Sequence, residues 1–285
     1  MDMRNIKLIA LELDGTLLNS NKELTERNLR SLERAAQAGI EIVPTTGRFF
    51  DGMPQAVRDL PFLHYAITIN GAQVQDIRTG EVIYRAELPL VQAISIMESL
   101  DTLPVIYDCY QDNWGWMTRS MQERAAEYAP DAHYLGMLRT LREPVDELKD
   151  FLRRKGKDVQ KIQFFAKDLS IRDEVLRTYE ARFPGTKVSS SVVNNVEINA
   201  AGANKGDAIR ALAGHTGITM EQTMSFGDGI NDLSMISACG VGVAMENACD
   251  EVKRAASIIA PSCDEDGVSV IIEELLFGKR QDIPV

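Results

Sequence analysis

Cysteine, histidine and aromatic residues are scarce in this chain, and long apolar runs are missing. Four cysteines, at 109, 239, 249 and 263, have neither CxxC spacing nor the density of a disulfide scaffold. They read as free thiols, which suits a reducing cytoplasm. No stretch approaches the ~20 apolar residues of a membrane span. The N-terminal apolar stretch between Lys7 and Glu12 is too short for a signal-peptide core. Positive charge is short as well, with 31 Lys and Arg against 42 Asp and Glu and a net charge of -11. That balance disfavours nucleic acid or an anionic membrane as the main partner, because both would repel the average surface. Two motifs are also absent. No GxxxxGK[ST] occurs, and neither GDGIND nor GVGVAM completes GxGxxG in a strand-turn-helix setting. Nucleotide-kinase and dehydrogenase readings fall away.

What is present is the composition of an ordinary soluble globular protein, 45% hydrophobic and 26% charged. Strand and helix signals alternate at both ends. The apolar run LIAL leads into Glu12, Asp14, Gly15 and Thr16, and reads as a buried parallel strand bounded by a turn. Leu29, Leu32 and Ala36 share one face of a helix that stops at Gly39. IEIVPTTGR and YAITINGA repeat the strand-turn pattern, and from Asn204 the rhythm resumes through TMSFGD, VGVAM and SIIA. This alternation predicts an α/β fold, a doubly wound, Rossmann-like parallel sheet with ligands at the carboxyl ends of its strands. The middle of the chain differs. It holds both tryptophans, Trp114 and Trp116, within PVIYDCYQDNWGWMTR, which reads as two short strands around a polar turn. Pairs of strands mixed with helices predict an inserted α+β domain over 82–190, leaving 1–81 and 191–285 as the core.

Chemistry collects at the predicted strand ends. The first strand offers Glu12 and Asp14; the second offers Thr45, Thr46, Gly47 and Arg48; Lys205 opens a helix; and FGDGIND supplies Asp228, Asn231 and Asp232. Oxygen ligands of this kind suit a hard cation such as Mg2+. Hydroxyls, turn amides and a lysine suit the oxygens of a phosphate. A lysine at a helix start is at the unfavourable end of the helix dipole, which points to a carboxylate or ligand partner. Asp228 and Asp232 stand four apart, so one of them is also a candidate cap for the following helix. The other conspicuous residues read as structural. His64, His133 and His215 have no ligand spacing, Met224, Met235 and Met245 are expected in the core, and the tryptophans are expected to pack within the insert.

The motifs LELDGTLL, PTTGR, NKGDAI and FGDGINDLSMI, in that order and with the expected insert, resemble those of the haloacid dehalogenase superfamily. The match is to its Cof-type sugar-phosphatase branch with a type IIB cap, and INGA and GVGVAMENACDEVKRAAS extend it along the whole chain. The resemblance implies a Mg2+-dependent phosphomonoester hydrolase acting on small phosphorylated metabolites such as sugar phosphates, through an acyl-phosphate intermediate. It casts Glu12 as nucleophile, Asp14 as general acid and base, Thr46 and Gly47 as phosphate-binding, and Lys205 as the cation joining nucleophile to phosphate. Asp228 would ligate the metal together with Glu12 and Asp14, with Asn231 and Asp232 in support. One departure stands out. The resembled pattern has Asp where this chain has Glu12, and the extra methylene moves the carboxylate roughly 1 to 1.5 Å from the backbone. Misplacement of about 1 Å can cost ~100-fold in rate. Three readings stay open at this point: a slow natural phosphatase, a phosphometabolite-binding protein without turnover, and a replacement that traps substrate. A phosphomutase is a further alternative, distinguished by an isomerised product.

Overall fold

The computed structural model describes residues 5–278, and the chain divides into two compact units. The first is made of residues up to Gly47, Met53–Tyr84, and those from Asn204 onward. Its centre is a five-stranded sheet in the order Ile258–Ala260, Val241–Met245, Thr223–Gly227, Leu8–Leu11, Glu41–Pro44, every neighbouring pair parallel. The strand Tyr65–Thr68 continues it through a single parallel bridge between Thr45 and Ile67. Leu8, Ile9, Ala10 and Leu11 are all buried, so the run is apolar on both faces, as a strand covered on both sides must be.

The order of connections fixes where ligands belong. From Leu8–Leu11 the chain steps outward through Glu41–Pro44 on one side, and later returns to build the other side through Thr223–Gly227, Val241–Met245 and Ile258–Ala260. The connection reverses between Leu8–Leu11 and Thr223–Gly227. In an open parallel sheet such a reversal leaves a crevice beyond the carboxyl ends of the two strands. Glu12 and Asp228 are the residues that immediately follow those ends.

The second unit comprises Arg48–Gly52 and Arg85–Ala203. It is an α+β module on a six-stranded sheet ordered Thr186–Ser189, Asn195–Ala200, Lys161–Ala166, Val105–Gln111, Trp114–Thr118, Glu143–Val145. All its pairings are antiparallel except the last. The helices Leu90–Leu100, Leu148–Lys155 and Leu169–Arg182 contribute to a core with Tyr107, Cys109, Ile162, Phe164, Val196 and Ile198 from one face of the sheet. The alternate residues Asp108, Lys161, Gln163 and Glu197 are polar and also buried.

The unit is larger than the insert read from the sequence as 82–190. Asn195–Ala200 lies between Thr186–Ser189 and Lys161–Ala166 in the second sheet, so the chain leaves this unit only after it. A single apolar strand signal does not tell which of two sheets will take it, hence the early boundary. The helix Ala132–Thr140 was not foreseen, while the hairpin Val105–Gln111 with Trp114–Thr118 turns as read, at Asp112 and Asn113, both with φ of 57°. Met224, Met235 and Met245 are buried, and Trp116 packs on the second unit's core with its ring centroid 4.5 Å from that of Phe151. All four cysteines are free thiols. No helix among the described residues is long and apolar enough to cross a membrane.

Candidate active site

The residues at the reversal point are brought together by tight turns. Glu12 donates its backbone N–H to the carbonyl of Phe226 at 3.0 Å, which aligns the end of the first strand with the loop carrying Asp228. Gly15 has φ of +77°, and a Cβ at this position would lie 2.5 Å from Asp228 Oδ2. Only glycine allows both the backbone turn and the close approach of that carboxylate. Next to it, the Thr16 hydroxyl donates to Asp228 Oδ1 at 2.6 Å.

Lys205 is the hub. It is the first residue of the helix Lys205–Thr216, whose N-cap, Asn204, accepts from the Asp207 N–H at 2.9 Å. An ammonium at this helix end is opposed by the helix dipole. Of the carboxylate or ligand partner expected at such a position, the structure provides two carboxylates: Lys205 Nζ donates to Glu12 Oε2 and to Asp232 Oδ1, and all three groups are buried. The remaining oxygen of each acid is also engaged. Glu12 Oε1 accepts from the Leu13 N–H at 2.8 Å, and Asp232 Oδ2 accepts from the N–H groups of Asp228 and Gly229, each at 2.9 Å. Neither oxygen caps the following helix, the role the four-residue spacing suggested; Asp232 instead closes its own loop, and both its oxygens are engaged inside the protein.

Asp228 has less compensation. Burial, reinforced by the neighbouring Asp232 charge, pushes its carboxyl up to about 7, against the pull of the Thr16 hydrogen bond and of Lys205. Asp14 adds to the same repulsion and makes an ion pair with Lys22 at 3.0 Å.

The phosphate candidates sit on the neighbouring strand end. The Thr45 N–H donates to the carbonyl of Leu11 at 2.7 Å, bringing this turn beside Glu12, and the buried Thr46 donates its N–H to the carbonyl of Ile67 at 2.9 Å. Asn70 was not singled out from the sequence, yet it joins three loops. Its N–H donates to the Thr46 carbonyl at 3.0 Å, its Oδ1 accepts from Asn231 Nδ2 at 3.2 Å, and a Cβ on Gly47 would lie 2.7 Å from the same oxygen. Ile69, Asn70 and Gly71 have φ of 54°, 59° and 92°. Consecutive left-handed residues that include a β-branched one are uncommon and cost of order 1–3 kcal/mol each for the non-glycines. An Asn-Gly pair after a strand signals a turn, and nothing in its spelling reveals a bridge to residues 161 positions away.

Arg48 is grouped with the second unit, where its guanidinium donates to the Gly52 carbonyl at 3.1 Å and lies 3.4 Å from His133 Nε2. His64 pairs with Glu41 at 3.1 Å and His215 packs edge-on to Tyr65, so neither belongs to the site.

A hard dication suits the site chemically, since the charged donors are all carboxylates and one of them, Asp228, is pushed up to about 7 by burial and by the neighbouring Asp232. Among the described residues, no three His, Cys, Asp or Glu side chains are already gathered as a metal cluster. With Asp232 committed to N–H donors and Lys205, the carboxylates best placed to take a cation are Asp228 and Asp14.

Comparison with known proteins identifies the family. Residues 9–272 match the family model described as haloacid dehalogenase-like hydrolase. YxeH of Bacillus subtilis is 33% identical over 279 residues, covering 96% of this chain and 99% of that protein. The 5-amino-6-(5-phospho-D-ribitylamino)uracil phosphatase YcsE of the same organism is 30% identical over 270 residues, 94% of this chain and 95% of its own. A haloacid dehalogenase-like hydrolase from Bacteroides thetaiotaomicron superposes with a TM-score of 0.80 at 29% identity, covering 95% of this chain and 99% of that one.

Proposed function

Because this chain belongs to the haloacid dehalogenase-like hydrolases, we propose that it is a Mg2+-dependent phosphatase of small phosphorylated metabolites, with sugar phosphates as the favoured class. The observation that carries this reading is Lys205, a buried cation clamped between Glu12 and Asp232 at the point where the parallel sheet reverses. The phosphate-containing substrate in the name of YcsE supports the substrate class.

In the proposed reaction a carboxylate oxygen of Glu12 attacks phosphorus, forming an acyl phosphate while the ester P–O bond breaks. The leaving oxygen takes a proton from Asp14. Asp14, now a carboxylate, takes a proton from a water molecule that attacks the same phosphorus, releasing phosphate and restoring Glu12. Thr46 and the amides around Gly47 hold the phosphoryl oxygens, and Lys205 aims Glu12 through its hydrogen bond. Mg2+, held by the Asp228 carboxylate beside Glu12 and Asp14, would supply positive charge against the transferring phosphoryl group. Asn231 orients the loop through Asn70, and Asp232 supports the metal site through Lys205 and the Asp228 backbone. The second unit, with 82–190 as its bulk, would select the leaving group.

The second reading, a phosphometabolite-binding protein on the same fold, draws on one observation: both oxygens of Glu12 are already occupied, by Lys205 and by the Leu13 N–H. Release of inorganic phosphate from a panel of sugar and polyol phosphates, with Mg2+ and with chelator, separates the two. Mg2+-dependent turnover of at least one compound is expected. Saturable binding of several compounds without release of phosphate from any would establish the second reading.

A further inference from the structure

The hairpin of Tyr65–Thr68 and Gln73–Asp76 carries a turn whose backbone is costly to hold. Its strands pair antiparallel up to Thr68 and Gln73, and the Ala72 N–H closes the turn on the Ile69 carbonyl at 3.0 Å. Between them Ile69, Asn70 and Gly71 all lie in the left-handed region, which a β-branched residue rarely enters. Strain of this kind persists only where the surroundings over-determine it. The surroundings here include three elements of the candidate site, all within the first unit.

The first is the turn after Glu41–Pro44, where the Thr46 carbonyl accepts from the Asn70 N–H at 3.0 Å. A trans peptide is planar with its C=O and N–H on opposite sides, so this bond turns the Gly47 N–H to the side away from Asn70. The second is the loop after Thr223–Gly227. Asn231 Nδ2 donates to Asn70 Oδ1 at 3.2 Å, and the same oxygen lies so near Gly47 that a Cβ there would stand 2.7 Å from it. The third is the start of the helix Lys205–Thr216, because a Cβ on Gly71 would lie 2.4 Å from the carbonyl oxygen of the N-cap Asn204. Asn70 is 4% exposed, so water competes little for these contacts.

We propose that Asn70 is a positioning residue that couples the two halves of the site, so that Mg2+ at the Asp228 loop tightens phosphate on the Thr46–Gly47 turn, and the reverse. This rests on the reading of those two segments as metal and phosphate sites. A cation that orders the loop of Asn231 also orders, through Asn70 Oδ1 and the Thr46 carbonyl, the amide of Gly47. The second ligand then meets a turn already arranged, and less ordering opposes its binding. Linkage makes the effect reciprocal: the factor by which Mg2+ tightens phosphate is the factor by which phosphate tightens Mg2+. Direct attraction between dication and phosphate contributes to the same factor, and only the remainder passes through Asn70. Asn70 touches no reacting atom in this scheme.

The test uses the full-length protein with inorganic phosphate as the probe, titrated by calorimetry in chelator and in saturating Mg2+. The ratio of the two affinities is the coupling. The substitutions are Asn70→Gly and Asn231→Ala, singly and together. Glycine keeps the left-handed backbone and the N–H bonded to Thr46, so Asn70→Gly removes the side-chain bridge alone. Asn231→Ala breaks the bridge from its other end, and serves if the glycine variant does not fold. Each single variant should lower the coupling ~5-fold, with phosphate affinity in chelator changed by less than ~2-fold. The double variant should match either single one, since one bridge is broken only once. A merely structural defect would weaken phosphate equally in both conditions and leave the ratio unmoved. An unchanged ratio in the single variants, or losses that add in the double one, would overturn the proposal and leave the reading of the site in place. Wild-type protein that binds no phosphate in either condition would refute the reading of the turn as well.

Discussion

The two units bury charge in opposite ways. In the second, acids and bases are matched: Arg142 Nε stands 3.1 Å from Asp108 Oδ1, Lys161 Nζ stands 2.9 Å from Glu197 Oε1, and all four side chains are at most 5% exposed. In the first, the buried Glu12 and Asp232 share Lys205, while the half-buried Asp228 feels the charges of both Asp232 and Asp14, and Lys22 pairs with Asp14 from a more exposed position. A matched pair needs nothing from outside, because each charge is the other's compensation. A cluster with an excess of acid is unstable by itself, and on the function proposed above an added cation would offset it. The difference therefore separates charges that define a structure from charges that define a site.

Removing Lys205, the buried cation shared by two acids of the first unit, is the most severe way to break this contrast. Lys205→Met should destabilise the protein by ~5 kcal/mol, since it strands two buried acids at once, and should abolish phosphate release. Denaturant unfolding in chelator measures the first effect and a phosphate assay the second. In the second unit Arg142→Met should cost ~3 kcal/mol by stranding Asp108, and the double variant Asp108→Leu with Arg142→Met should recover most of that loss. Matched charges predict this recovery. Lys205→Met has no single compensating partner, so neither Glu12→Gln nor Asp232→Asn alone should rescue it fully.

A smaller effect of opposite sign is expected at Asp228. Its carboxyl is raised from 3.8 to about 7, so between those pH values the unfolded chain is ionised while the folded one still holds the proton. Stability contributed by this group is fully present below about pH 4, falls as pH rises, and is gone above about pH 7. In chelator, Asp228→Asn should thus stabilise the protein at pH 8 by ~2 kcal/mol, roughly half the ceiling set by the shift, because the amide must still be desolvated. The same substitution should weaken Mg2+ binding far more than Asp232→Asn does. Melting curves between pH 4 and 8 would check the first statement and calorimetric titration the second.

The parallel architecture was legible because its strands announce themselves as short apolar runs ending in turn residues, and LIAL, EIVP and TMSFG lie where those runs predict. Lys205 was legible through its unfavourable position at a helix start. What could not be read were relations lacking a local signature: that Asn195–Ala200 joins the second sheet, that Asn70 bridges Thr46 and Asn231, and that Asp232 has no oxygen to spare. A strand signal carries no sheet label, and a carboxylate's partners are chosen by loops distant in sequence.

The smallest effect concerns the lengthened arm at position 12. Glu12→Asp should raise kcat by ~10-fold, about 1.4 kcal/mol of barrier, with little change in substrate affinity. Steady-state kinetics at saturating Mg2+ decides it, and a variant no faster than its parent would strengthen the binding-protein reading.

The contrast between matched and unmatched charge is tested most directly by thermal unfolding near neutral pH in chelator and in Mg2+. Mg2+ at about a hundred times its Kd should stabilise the wild-type protein by ~3 kcal/mol. The increment should persist in Arg142→Met, whose defect lies among paired charges, and vanish in Asp228→Asn. A wild-type protein that melts identically with and without Mg2+, or an Asp228→Asn variant that keeps the full increment, would contradict the claim that the acid excess at the sheet reversal is a cation site.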